Sequence, residues 1–150
     1  MPGAERVAAV ILAGGQGRRM GGADKGLVEY RGRPLIEWVL EVLTPQVDEL
    51  VISANRNLDT YASYGHPVLP DTLPDFPGPL AGVLAAMQTG VADWLVVVPC
   101  DTPHLPADLA SRLLSAAQHA KVPLAVAADK ARIHHSCFIV RCDQQDNLVA

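Results

Sequence analysis

Four short apolar runs, at residues 7–13, 50–54, 94–98 and 124–128, pass through the sequence without alternating with polar residues. A strand with water on one face alternates, so such runs belong to strands covered on both faces, the condition of a parallel sheet. The stretches between them show helical spacing. Pro34 stands where a first-turn proline belongs, and Leu35, Ile36, Val39, Leu40 and Leu43 mark one helix face. Leu80, Val83, Leu84 and Met87 repeat the pattern up to Gly90, and Leu109, Leu113, Leu114 and Ala117 repeat it again. Strands alternating with helices predict an α/β fold, with residues 1–150 forming a single unit around a mostly parallel sheet.

Composition narrows the setting. Apolar residues make up 49% of the 150 and charged residues 19%, enough to close a core and too apolar for a disordered arm. The net charge of −4 gives no general reason to seek polyanions, so nucleic acid is not an expected partner and any anion site must be local. Arg18, Arg19 and Lys25 form the densest cluster of cations. Cys100, Cys137 and Cys142 are an odd set with no CxxC pair, which fits a reducing compartment better than a secreted disulfide framework. His134 and His135 stand near the last two, but at no usual zinc spacing. The first apolar run ends in Gly14-Gly15 rather than at a cleavage site, and no run approaches a membrane span, so the expected location is the cytoplasm, away from the membrane.

Ligands of open parallel sheets bind beyond the carboxyl ends of the strands, where loops and helix N-termini present N–H groups. The polar residues gather at such ends. Gly14, Gly15 and Gly17 follow the first run, and Ser53, Asn55 and Arg56 follow or end the second. Asp71 lies in a loop stiffened by Pro67, Pro70, Pro74, Pro77 and Pro79, while Pro99, Cys100 and Asp101 follow the third run. Glycines let a backbone fold around a phosphate with its N–H groups inward, and Arg18, Arg19 and Lys25 supply counter-charge. Two familiar phosphate loops do not match: Met20 replaces the third glycine of the dinucleotide fingerprint, and Lys25 is followed by Gly26 rather than Ser or Thr. Asp101 has two readings, as the cap of a helix beginning near Pro106 or as a hard oxygen ligand for magnesium on a triphosphate. Joined to the glycine loop, the second outlines a nucleotide-transfer site. Cys100 reads as a small buried filler, and Trp38 and Trp94 as packing residues.

The loop through Leu12, Ala13, Gly14, Gly15, Arg19, Met20, Gly21 and Lys25 resembles the signature of nucleotidyltransferases with a Rossmann-like sheet. The stretches "ADKGLVEYRGRPLIEWV", "ISANRN", "PDTLPDFPGPLAG" and "PCDTPHLP" are similar to the molybdenum cofactor guanylyltransferase family, which joins GMP from GTP to molybdopterin. The resemblance implies a three-layer fold of the nucleotide-diphospho-sugar transferase type. It also implies roles: Leu12, Ala13 and Gly14 lining the GTP pocket through their main chain, Gly15 against the phosphates, Arg19 and Lys25 on the triphosphate, and Asp101 on Mg2+. Asp71 would accept the adjacent N1–H and N2–H donors of guanine, and Gly78, Pro79 and Gly82 would wall the nucleotide. Ser53 stands where some relatives have an Asn, so Asn55 is expected to make that contact. Implied partners are GTP, the molybdopterin cofactor, and molybdoenzymes or cofactor-assembly proteins. A related cytidylyl or sugar-phosphate nucleotidyltransferase is the neighbouring reading, and a non-catalytic cofactor carrier the reading from another class. The likeness fades beyond Val140, the family's Asn-x-Asn-Thr-Pro motif is absent, and the polar stretch 142–150 reads as an end short of the natural one.

Overall fold

The computed structural model describes residues 5–13, 25–55, 57–70, 83, 85–87, 92–128 and 133–144. Its strands are β1 (Val7–Leu12), β2 (Glu29–Tyr30), β3 (Arg33–Pro34), β4 (Glu49–Ser53), β5 (Val68–Leu69), β6 (Trp94–Pro99), β7 (Leu124–Ala128) and β8 (Ile133–Arg141). The helices are α1 (Leu35–Leu43), α2 (Leu58–Ala62) and α3 (Leu109–Ala120), with 3-10 turns at Lys25–Leu27, Thr44–Gln46 and Cys142–Gln144. Residues 83 and 85–87 are also helical.

Six strands form one sheet in the order β5-β4-β1-β6-β8-β7. β5, β4, β1 and β6 run parallel to one another, whereas β8 is antiparallel to both β6 and β7. Alternate residues of the central strands serve two cores, which explains why those runs read as continuously apolar. Val7, Ala9, Ile11, Trp94, Val96 and Val98 join a cluster with Ile36, Val39 and Leu43 of α1 and Leu109, Leu113 and Ala117 of α3. Ala8, Val10, Leu95 and Val97 join a second cluster with Val83, Ala86 and Met87. The sheet is thus covered on both faces, and the expected three layers are present.

Three sequence expectations need correction. The run at 124–128 is a strand, but it lies at the sheet edge, with Leu124 and Val126 at 40% and 36% exposed. β8 takes the place beside β6 that would have buried it. β8 itself was not anticipated, although its segment Cys137-Phe138-Ile139-Val140 is a short apolar run of strand-forming residues. Pro34 is the N-cap of α1 rather than its first helical residue, because it also pairs with Glu29 across the β2–β3 hairpin. That hairpin turns through Arg31 and Gly32, both at positive φ, the geometry that suits a two-residue connection.

The amino ends of the central strands are closed by side chains. Asp93 accepts the Arg6 amide at 2.9 Å, Asp48 accepts the Val7 amide at 2.8 Å, and the Trp94 indole donates to Glu5 at 3.0 Å. Their carboxyl ends are where chemistry can be built. No helix among the described residues is long and apolar enough to cross a membrane.

Cys137 points from β8 into the first core, and burial pushes its thiol up to about 11. Cys142 is raised to about 11 as well, by burial and then by Asp93 and Asp143. Neither is a thiolate at neutral pH. An unfolded chain ionises these thiols near 9, so the stability tied to their protonated form is intact below about pH 9 and is lost as pH rises through about 11. The melting temperature should hold to about pH 9 and then fall, and Cys137→Ala should make the fall between pH 9 and 11 shallower; equal slopes in thermal scans would remove this account.

Candidate active site

β1 is the point where the topology reverses direction. From it the chain passes first to β4 on one side and later to β6 on the other, and ligands of such sheets bind where neighbouring connections leave in opposite directions. The carboxyl ends on both sides are held flush by backbone bonds. The Ala13 amide donates to the Ser53 carbonyl at 2.8 Å, the Cys100 amide to the Leu12 carbonyl at 3.2 Å, and the Ala54 amide to the Leu69 carbonyl at 3.1 Å. Leu12 and Ala13 therefore sit between Ser53 and Asn55 on the β4 side and Cys100 and Asp101 on the β6 side. Pro70 leads from the end of β5 into Asp71. Gly14, Gly15, Arg18, Arg19, Asp71, Gly78, Pro79 and Gly82 lie outside the described residues.

Lys25 is brought to the same end by a contact of its neighbour. Gly26 is buried so closely that a Cβ added there would stand 3.3 Å from both Cβ and Sγ of Cys100 and 2.7 Å from the Tyr61 hydroxyl. Gly26 follows Lys25 and Cys100 precedes Asp101, so this contact places the two sequence-predicted charged residues at the same strand ends. Tyr61 is wholly buried behind it, and Cys100 is the buried filler expected. Lys25 is exposed and Asp101 half-buried. Among the described residues, neither side chain is engaged in a hydrogen bond or ion pair.

Asp101 has no helix to cap. α3 begins at Leu109, and its Ala110 amide donates to Oε1 of Gln46 at 2.8 Å; the Gln46 amide nitrogen donates in turn to the carbonyls of Val42 and Pro106. The capping alternative for Asp101 is therefore wrong, and the polar work at that helix end falls to a glutamine 64 residues away in sequence from Ala110. After β6 the chain turns with the Thr102 hydroxyl on the Pro99 carbonyl at 3.3 Å, leaving Asp101 at the top of the turn.

Two further groups at this end were not singled out as site residues. Tyr30 Oη lies 2.9 Å from Nε2 of His104, beyond Asp101. Trp38 is more than packing: its indole N–H donates to the Tyr30 carbonyl at 2.8 Å, and Arg33 lies over its ring at 4.6 Å. Trp94, by contrast, is the core residue expected, at 2% exposed. Ser53 is buried at 4% exposed, whereas Asn55 is exposed just past β4, the better placed of the two to reach a ligand.

As to metal, no group of three or more His, Cys, Asp or Glu side chains able to hold an ion occurs among the described residues. A single half-buried carboxylate suits Mg2+, which keeps most of its ligands as water and substrate phosphate and needs only one or two from protein.

Residues 9–148 match the family described as MobA-like NTP transferase domain. A molybdenum cofactor guanylyltransferase of Shewanella sp. (strain ANA-3) is 48% identical over 145 residues, covering 97% of this chain and 74% of the relative. One from Methylibium petroleiphilum is 51% identical over 133 residues, covering 87% and 66%. Molybdopterin-guanine dinucleotide biosynthesis protein A from Archaeoglobus fulgidus superposes with a TM-score of 0.74 at 25% identity, over 95% of this chain and 71% of that one. The Rossmann-like fold of the nucleotide-diphospho-sugar transferase type is thereby borne out. With a family model matched over residues 9–148, a topological switch point at β1 and identities near one half over most of its length, the chain belongs to the MobA-like NTP transferase family, among the molybdenum cofactor guanylyltransferases.

Proposed function

We propose that this protein transfers GMP from GTP to molybdopterin in the cytoplasm, forming molybdopterin guanine dinucleotide and pyrophosphate, with Mg2+ as cofactor and with molybdoenzymes or their assembly proteins receiving the product. The observation that supports the reading is the close approach of Gly26 to Cys100, the chain neighbours of Lys25 and Asp101, beside the topological switch point at β1.

The acceptor is a phosphate monoester, whose oxygen is already anionic, so no general base is required. That oxygen attacks the α-phosphorus of GTP; the new P–O bond forms as the bond to the bridging oxygen of pyrophosphate breaks. Catalysis then consists of alignment and charge neutralisation. By the family resemblance, the main chain of Leu12, Ala13 and Gly14 would line the nucleotide, Gly15 would bring amide donors to the phosphates, and Arg19 and Lys25 would offset charge that builds on the leaving group. Asn55, Asp71 and Gly78 would contact the nucleoside on the same resemblance. Asp101 would hold Mg2+, which supplies Lewis-acid neutralisation of phosphate oxygens when bound.

Incubation with GTP, Mg2+ and molybdopterin should yield a mass for the dinucleotide and one pyrophosphate per product; cofactor retention without pyrophosphate would make the protein a carrier. In a thermal-shift series with Mg2+, GTP at a hundredfold excess over its Kd should stabilise the protein by about 2.7 kcal/mol relative to no ligand, and CTP, UTP and ATP at the same concentration should stabilise it less. A larger shift with CTP or UTP would move the assignment to another nucleotidyltransferase.

A further inference from the structure

Among the described residues, the segment that bears Lys25 meets the segment that bears Asp101 through two contacts that bear on the site. One is Gly26 against Cys100. The other is the side-chain pair Tyr30 and His104, 74 residues apart in sequence, with Oη 2.9 Å from Nε2 and the rings edge to face at 5.6 Å between centroids and 85° between planes. Asp101 lies between Cys100 and His104 in sequence, so the two contacts bracket it. Tyr30 is fixed in its turn by α1. Trp38 donates its indole N–H to the Tyr30 carbonyl and meets the Tyr30 ring edge-on at 5.9 Å. A chain of contacts therefore runs from a helix seated on the core, through Trp38 and Tyr30, to the loop that follows Asp101.

This outer contact is exposed. An exposed side-chain hydrogen bond adds little to folding stability, because water replaces it at small cost. Its effect is on geometry, since it limits how far the 101–108 loop can move relative to the hairpin that continues from Lys25. Nucleotidyl transfer by alignment is sensitive to that distance: displacements near 1 Å cost large factors in rate. The geometry points to Tyr30 and His104 as positioning residues, whose mutual bond holds the Asp101 loop in register with the Lys25 segment. This rests on the reading above that Lys25 and Asp101 serve one triphosphate. The bond forms with either imidazole tautomer, Nε2 accepting from the Tyr30 hydroxyl or donating to its oxygen.

The test uses Tyr30→Phe, His104→Ala and the double variant, with kcat, KM for GTP and Tm measured for each beside Lys25→Ala and Asp101→Ala. Each single variant should lower kcat by about 5- to 20-fold, with KM within about twofold. Tm should stay within about 2 °C of wild type, and the double variant should be no slower than the slower single, because one bond can be lost only once. Wild-type kcat in Tyr30→Phe and His104→Ala, with loss in Lys25→Ala and Asp101→Ala, overturns the positioning role alone. Losses that multiply in the double, or that vanish when the assay is run well below each variant's Tm, overturn it as well. Wild-type turnover in Lys25→Ala and Asp101→Ala removes the parent reading and this one together.

Discussion

Asp101→Ala is expected to slow GTP-dependent pyrophosphate release by a factor on the order of 10² or more, with a much smaller change in GTP affinity. Lys25→Ala should behave alike. The asymmetry between rate and affinity follows from when the charge appears. In GTP the negative charge is shared among three phosphates, and solvent can carry much of it. In the transition state it concentrates on the departing pyrophosphate and on the oxygens around the α-phosphorus, so a fixed cation or a metal-holding carboxylate there has its largest effect. The fold makes the loss interpretable. Asp101 caps no helix, and neither it nor Lys25 is engaged in a hydrogen bond or ion pair among the described residues. Both variants should therefore melt close to wild type, a behaviour that a structural role would not give. Asp101→Asn, which keeps shape and removes charge, should be nearly as slow as Asp101→Ala. Either alanine variant at wild-type rate in a magnesium-titrated assay would strike that residue from the mechanism.

The parts of this site that were readable in sequence are those set by local rules. β1, β4 and β6 announce themselves because strands covered on both faces must be apolar throughout, and their ends fix where Leu12, Asn55 and Asp101 stand. What was misread depends on pairings that no local rule encodes. The apolar stretch of β7 is equally consistent with the middle or the edge of a sheet; its place is decided by β8 returning antiparallel beside β6. The helix end near Pro106 looked open to capping by Asp101, yet Gln46 supplies the cap from a 3-10 turn on another part of the chain. The Tyr30–His104 pairing is likewise invisible in sequence: each residue lies in a stretch quoted for its family likeness, but nothing local links residues 74 apart, and the hairpin that presents Tyr30 is only two residues deep on each strand. Glycine-rich signatures report backbone function, whereas side chains that hold one segment against another leave a trace only in three dimensions.

Gly26→Ala is the second variant for which a large effect is expected, and here the cause is a single methyl group. Gly26 does not have positive φ, so alanine fits its backbone conformation and only space opposes the change. The space is absent: the new Cβ would stand 2.7 Å from the Tyr61 hydroxyl and 3.3 Å from two atoms of Cys100. Tyr61 is fully buried and Cys100 is 5% exposed, so neither can swing into solvent. Forcing a methyl into such packing costs about 1–3 kcal/mol, which for 150 residues corresponds to a fall in Tm of roughly 3–10 °C. Relief by moving the 3-10 turn instead carries Lys25 away from Asp101, and a displacement of that kind is expected to lower kcat by about 10- to 100-fold. The two effects separate in a second variant. Tyr61→Phe removes the atom at 2.7 Å, so adding it to Gly26→Ala should recover part of the lost rate although Tyr61→Phe alone is neutral or harmful. Cys100→Ala removes only Sγ and leaves the shortest approach in place, so it should not rescue. Equal rescue by both substitutions, or wild-type kcat in Gly26→Ala itself, would show that the position of Lys25 is not set by this contact.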